Sequence, residues 1–263
     1  MTTAHVVPQR SLLRDSRILI GRSVRHIIRS IDSLVLSVAL PITVLLLFVY
    51  VFGGAIRTNI EYVNYVSPGI ILLTAGFGAG LTATAVCADL TEGFMDRLRS
   101  MPVRPSAAVA GHVVASLVRN LLVTALVFVV AFAIGFRPHA SAWQWFGVVA
   151  ILSLYVLTIT WTAVILGLLA RNVDAAGGFA FFVSFLPYVS TAFVPTDTMP
   201  AALRAVANHQ PVTPIIETAR ALLLDLPVGN NAWLAMAWCA GILAVAIPLS
   251  ARLFHNRTAG QRH

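Results

Sequence analysis

The sequence predicts an all-α integral membrane protein, a single transmembrane domain over residues 1–263 with six membrane-spanning helices. Three observations predict it. Of the 263 residues 58% are apolar and 11% charged, whereas a soluble domain carries about a quarter charged and under half apolar. Six segments (34–56, 67–88, 111–135, 144–170, 175–194 and 231–251) are apolar over about 20 residues or more, the length that crosses a hydrocarbon core of roughly 30 Å. None of the six holds an acidic residue, and Arg119 is their one charge. This composition excludes a water-soluble enzyme and a disordered chain. The alternating segments of about ten residues that build an outer-membrane barrel are absent too.

Residues 13–31 come first and read as an amphipathic helix. Leu13, Ile20, Val24, Ile27 and Ile31 share a narrow arc at helical spacing, and Arg22, Arg25 and Arg29 lie opposite. Such a helix suits the membrane interface, guanidinium groups toward anionic headgroups; a solvated helix packed on the bundle is the alternative. After spans 34–56 and 67–88 comes loop 89–110, which holds Asp89, Glu92, Asp96, Arg97, Arg99 and Arg104. Leu90, Phe94 and Leu98 recur at i, i+4 and i+8 until Pro102 and Pro105 end the pattern, so a short charged helix with one apolar stripe is expected. Its 22 residues are long for joining adjacent helices.

Within the spans a few residues stand out. Gly76 and Gly80 are placed at G-x-x-x-G spacing, which permits close helix approach, and a direct role in lining a path is the other reading. With Gly78 they form G-F-G-A-G, which follows no strand and lies in a span, so it is no dinucleotide loop. Arg119 in span 111–135 is expected to snorkel to the cytoplasmic interface; the sharper alternative pairs it with Asp89 or Glu92. In span 175–194, Pro187 should kink the helix, and Phe179, Phe181, Phe182, Phe185 and Tyr188 give it an aromatic surface. That surface suits hydrophobic cargo or, equally, lipid.

Loop 195–230 holds five charged residues and apolar patches too short to span. A short helix is expected over Ala201 to Ala207 and another over Ile215 to Leu224, with Pro211 and Pro214 between them, forming a re-entrant or interfacial hairpin at the outer face. Glu217 and Arg220, at i and i+3, are expected to pair.

Charge orients the bundle. The net charge is +8, and all 18 basic residues are arginine. Thirteen of them fall in segments 1–33, 89–110, 171–174 and 252–263, and four in the alternate set. The positive-inside rule then puts both termini in the cytoplasm. In a chain this apolar the basic excess points to the membrane and not to nucleic acid. Trp143, Trp145 and Trp233 fall at span ends, where interfacial aromatics belong. The first apolar run has full spanning length and starts after 33 residues, so no cleavable signal peptide is expected.

Several activities are excluded. With no lysine there is no Walker A loop, so the chain is not expected to hydrolyse ATP. Cys87 and Cys239 read as small packing residues, and the seven histidines show no metal-ligand spacing. No catalytic constellation gathers at one interface. A stand-alone secondary transporter would place ionisable groups near the midplane to couple ions, and these spans hold no acid.

Two stretches, Asp89-Leu-Thr-Glu-Gly-Phe-Met-Asp-Arg-Leu-Arg-Ser-Met-Pro-Val and Ala192-Phe-Val-Pro-Thr-Asp-Thr-Met-Pro with His209-Gln-Pro-Val-Thr-Pro-Ile-Ile-Glu-Thr-Ala-Arg after it, carry a resemblance. They resemble the coupling-helix pattern and the outer-hairpin signature of ABC-2-type transporter permeases, in particular the daunorubicin-resistance branch of actinobacterial antibiotic and lipid exporters. The resemblance implies a bacterial plasma-membrane permease that exports a hydrophobic drug-like or lipid-like substrate, with a polysaccharide or glycolipid as the alternative cargo. It implies a second permease, identical or a paralogue, and two cytoplasmic ATPase subunits. ATP and Mg would sit on those subunits, and no cofactor on this chain. By the same resemblance Asp89, Glu92, Gly93, Asp96, Arg97 and Arg99 would meet the ATPase, with Phe94 and Leu98 as apolar anchors and the basic helix of Arg22, Arg25 and Arg29 as a brace. The path would run between protomers beside Gly76, Gly80, Phe181, Phe185 and Tyr188.

Overall fold

The computed structural model describes residues 31–91 and 106–260, and every regular element among them is helical. The interfacial helix (Arg22, Arg25, Arg29) and the coupling residues Glu92, Gly93, Phe94, Asp96, Arg97, Leu98 and Arg99 lie outside the described residues. In chain order the α-helices are α1 (Ile31–Leu46), α2 (Tyr62–Thr91), α3 (Ser106–Ala133), α4 (Ala142–Leu169), α5 (Val173–Ser184), α6 (Ala201–His209), α7 (Val212–Leu223) and α8 (Asn231–Gly260). Tyr62–Thr91, Ala110–Ala133, Ala142–Leu169 and Asn231–Arg257 are long and apolar enough to cross a membrane. Two further apolar stretches, Ser37–Phe52 and Val173–Val189, are shorter.

α2 is the axis of the bundle. It packs against α1, α3, α4, α5 and α7, and 72% of its most apolar window is buried, against 22% for α8. Its sequence explains this: Ile70 to Ala75 are apolar or hydroxyl-bearing on every side, so no face of the helix prefers water. α8 instead turns Trp233, Leu234, Val245 and Ile247 outward, which a helix in contact with lipid tolerates.

Local chemistry fixes the ends. Ser141 and Gln144 form a capping box at α4: the Ser141 N–H donates to Gln144 Oε1 at 2.6 Å and the Gln144 N–H to Ser141 Oγ at 3.4 Å. Gln144 Nε2 also donates to Asp225 Oδ1 at 2.6 Å, which fastens the start of α4 to the end of α7. Asn172 caps α5 by accepting from the Ala175 N–H at 2.8 Å. Trp143 and Trp233, 79% and 71% exposed, open α4 and α8.

The helix expected over 175–194 is interrupted. α5 stops at Ser184 and a 3-10 turn follows over Leu186–Val189. Pro187 ends the helix where a kink was expected, because it has no N–H for the carbonyl four residues back. The Phe185 N–H turns onto Phe182 and Val183 instead. The Ser190 hydroxyl then donates to the Pro187 carbonyl and accepts from the Ala192 N–H, so the chain is held in an elbow. Span 34–56 ends early too: a π-helical stretch, Leu47–Phe52, completes α1, and the Ala55 and Ile56 N–H groups both fold back to the Phe52 carbonyl.

Candidate functional site

The chemistry-bearing residues of the described chain gather on α2 and whatever faces it. Toward α3 they form a polar seam. From the end that carries segment 92–105, Asp89 Oδ2 lies 2.7 Å from His112 Nε2, both side chains partly buried. One turn deeper, the Thr82 hydroxyl donates to Ser116 Oγ at 2.8 Å, and Ser116 lies 3.2 Å from the Thr160 hydroxyl of α4. Asn120 Nδ2 donates to the Ser116 carbonyl and hydroxyl. Beyond it the Thr74 and Thr124 hydroxyls lie 3.1 Å apart. His112, Ser116, Asn120 and Thr124 recur at i, i+4, i+8 and i+12, one stripe of α3.

Arg119 belongs to this seam; it neither snorkels nor pairs with Asp89, and Glu92, its other expected partner, lies outside the described residues. It sits midway along α3, too far from the helix end to snorkel. Its Nη2 donates to the Gly78 carbonyl at 2.8 Å and to Thr82 Oγ1 at 3.1 Å, while Asp89 is taken by His112. The reason is geometric. A Cβ at residue 78 would lie 1.8 Å from Asn120 Oδ1, so only glycine leaves room for Asn120 and exposes the carbonyl to Arg119. Arg119 Nε is buried with no hydrogen-bond partner among the described residues.

The opposite side of α2, toward α5, is smooth. Gly76 faces Ser184, whose hydroxyl donates to the Gly76 carbonyl at 2.9 Å, and Gly80 faces Ala180. Both glycines therefore lie against α5, Gly76 more closely than Gly80. At Gly80 a Cβ would meet Ala180 at an ordinary 3.8 Å. Within G-F-G-A-G, the glycine that sterics demand is Gly78, which spacing alone did not single out.

An aromatic chain continues from α5. Phe181 and Phe185 meet edge to face at 4.7 Å, Phe185 and Tyr188 lie 5.3 Å apart, Tyr188 stacks on Phe193 at 5.2 Å, and Phe193 reaches Phe48 at 4.3 Å. Phe179, Phe181, Phe182 and Phe185 are exposed along it.

At the other end of α2 the hairpin is tied down by one cation. Arg220, 4% exposed, pairs with Glu217 at 2.5 Å, as its spacing implied. It also donates from Nε to the Tyr65 carbonyl at 3.1 Å and from Nη2 to the Thr191 carbonyl at 2.6 Å, with its guanidinium 4.0 Å over the Tyr65 ring. These bonds join α7, α2 and the elbow after α5, a role its sequence position did not reveal. α7 is itself almost wholly buried, whereas α6 is mostly exposed. Cys87 and Cys239 are both buried in the main core cluster.

Comparison with known proteins decides what this arrangement serves. The family model for the ABC-2 type transporter matches residues 15–224. The chain belongs to that family. A curated relative, the daunorubicin resistance ABC transporter permease protein of Streptomyces coeruleorubidus, is 27% identical over 224 residues, covering 84% of this chain and 79% of its own. A second, named "Probable doxorubicin resistance ABC transporter permease protein" in Mycobacterium tuberculosis, is 26% identical over 258 residues, covering 94% of this chain and 89% of its own. As an ABC-2 permease the chain is a transport subunit and a multi-pass membrane protein, and its family implies a partner ATPase.

Proposed function

We propose that this permease exports a hydrophobic drug-like or lipid-like compound across the bacterial plasma membrane, driven by ATP hydrolysed on a separate cytoplasmic ATPase. One observation carries the reading: the family match runs through 15–224, and curated relatives named for daunorubicin and doxorubicin resistance align along most of their length. In this reading the whole chain is one transmembrane domain. Its six spans comprise the four long helices together with α1 and its π-helical extension, and α5 with its 3-10 turn. The thirteen-to-four arginine bias supports cytoplasmic termini.

Two ATPase subunits dock beneath two permeases, identical or paralogous, and hold the ATP and Mg; this chain binds no cofactor. Asp89, Glu92, Gly93, Phe94, Asp96, Arg97, Leu98 and Arg99 make up the coupling segment, and Arg22, Arg25 and Arg29 the interfacial brace. Phe181, Phe185 and Tyr188 border the path, and Arg220 with Glu217 anchors the outer hairpin. The physical logic is rigid-body transmission: closure of the ATPases moves one bundle against the other, and the exposed aromatic surface of α5 lets apolar cargo slide.

The test is transport by the permease co-expressed with its partner ATPase. Inverted membrane vesicles should take up daunorubicin when ATP and Mg are supplied, and lose uptake when the ATPase is inactivated. Uptake driven by an ion gradient without the ATPase would replace this reading with a secondary transporter.

A further inference from the structure

We infer that Asp89 and His112 are a positioning pair that locks the last turn of α2 to the second turn of α3, so that the two helices move as one body where they lead into segment 92–105. The inference rests on the proposed docking of an ATPase against that segment. Asp89 stands in the last turn of α2 and His112 in the second turn of α3. They are 23 positions apart in sequence and 2.7 Å apart in space, so the pair bridges the two roots of the segment.

The surroundings make it a brace and not a stray surface contact. His112 is 19% exposed and Asp89 29%, which shields the pair from full solvent screening. The pair is also the first rung of the seam. Behind it come Thr82 with Ser116, Arg119 with the Gly78 carbonyl, and Thr74 with Thr124, all bridging the same two helices. A push on segment 92–105 thus enters two helices already locked in register, and Asp89 with His112 keeps the entry point from splaying. Without the pair, α2 and α3 part at this end and the push is absorbed locally. The seam deeper in the bundle is untouched, so the protein still folds.

The experiment uses the complete permease–ATPase complex in lipid vesicles and reads how far the permease accelerates ATP hydrolysis over the isolated ATPase. Asp89→Ala and His112→Ala should each lower that acceleration about tenfold, the scale set by losing one charge-assisted hydrogen bond. Complex assembly of the His112→Ala variant, followed by size-exclusion chromatography, should stay as in the wild type. His112→Gln, which keeps a side-chain donor, should retain most of the acceleration. The swap Asp89→His with His112→Asp should restore what either alanine variant loses, a rescue that a merely bulky core pair would not show. Assembled single variants that accelerate hydrolysis like the wild type overturn the proposal, as does a swap no better than the singles. Should an alanine variant fail to assemble, His112→Gln and the swap decide. A wild-type chain that neither binds nor accelerates the ATPase overturns the reading on which the pair depends, and the pair with it.

Discussion

The two flanks of α2 meet their neighbours by opposite means. Toward α3 the contact is specific: hydroxyl to hydroxyl at Thr82–Ser116 and Thr74–Thr124, and guanidinium to carbonyl at Arg119–Gly78. Toward α5 it is generic, small residue against small residue, with the Ser184–Gly76 hydrogen bond at its centre. A hydrogen bond between side chains on two helices fixes both distance and register, because displacement by one residue leaves buried polar atoms unpaired. A face of glycine and alanine with one such bond fixes distance closely and register less firmly. So α2 and α3 are fixed in register by several polar ties, whereas α5, short and ended by Pro187, meets α2 with fewer of them.

The largest effect should come from filling the one position where the seam has no room. Gly78→Ala puts a methyl group where Asn120 Oδ1 now sits. Asn120 must then leave its bonds to Ser116 while staying buried, a loss of about 3 kcal/mol when overpacking and an unpaired amide combine. Thermal unfolding of the detergent-purified chain measures it, and adding Asn120→Ala should recover much of the loss. A Gly78→Ala protein as stable as the parent would mean the seam is loose and the contrast between the flanks false.

Next should come Arg220→Ala, about 2 kcal/mol, since it strips the Tyr65 and Thr191 carbonyls of a buried charged donor and leaves Glu217 alone. It sharpens the comparison by locating what restrains the α5 elbow. Limited proteolysis should cut the 190–200 stretch faster in this variant, with the seam helices unaffected. Uniform acceleration of cleavage across α2 and α3 would show that Arg220 holds the whole bundle. Smaller again, Thr82→Val should cost about 1.5 kcal/mol, since it removes the bond to Ser116 and one of the two that Arg119 Nη2 donates. Ser184→Ala on the smooth flank should cost no more than that, read by the same unfolding measurement.

How far this contrast was legible before the structure follows from what each part depends on. The long helices were readable because continuous apolar runs depend on their own residues alone, and α2, α3, α4 and α8 overlap nearly all of the runs expected at 67–88, 111–135, 144–170 and 231–251. The Glu217–Arg220 pair was readable for the same reason, being three residues apart on one helix. Partners set by antiparallel register were not. Asp89 finds His112, and Arg119 finds the Gly78 carbonyl, only once α2 and α3 are aligned, and no local spacing encodes that alignment. Pro187 was read correctly as a disturbance and wrongly as a kink, because whether a helix resumes after proline depends on what packs beyond it. Of the anticipated coupling residues, Asp89 alone lies among the described residues, and there it faces the bundle's own His112.

The smallest predicted change carries the opposite sign. Gly80→Ala adds a methyl group 3.8 Å from the Ala180 Cβ, an ordinary contact, and removes a flexible residue from mid-helix. Relative to glycine, alanine in a helix interior gains roughly 0.5–1 kcal/mol, so the variant should unfold slightly later than the parent. If α5 must shift across this face, the extra methyl deepens the resting contact and transport should slow even as stability rises. A Gly80→Ala chain that is more stable and equally active would show that α2 and α5 stay together through the cycle. A less stable one would mean the flank is as tightly fitted as the seam. Because the same substitution two residues earlier is expected to be the most damaging, the pair isolates packing geometry from helix propensity: both positions exchange the same residue in the same helix, and only the neighbour differs.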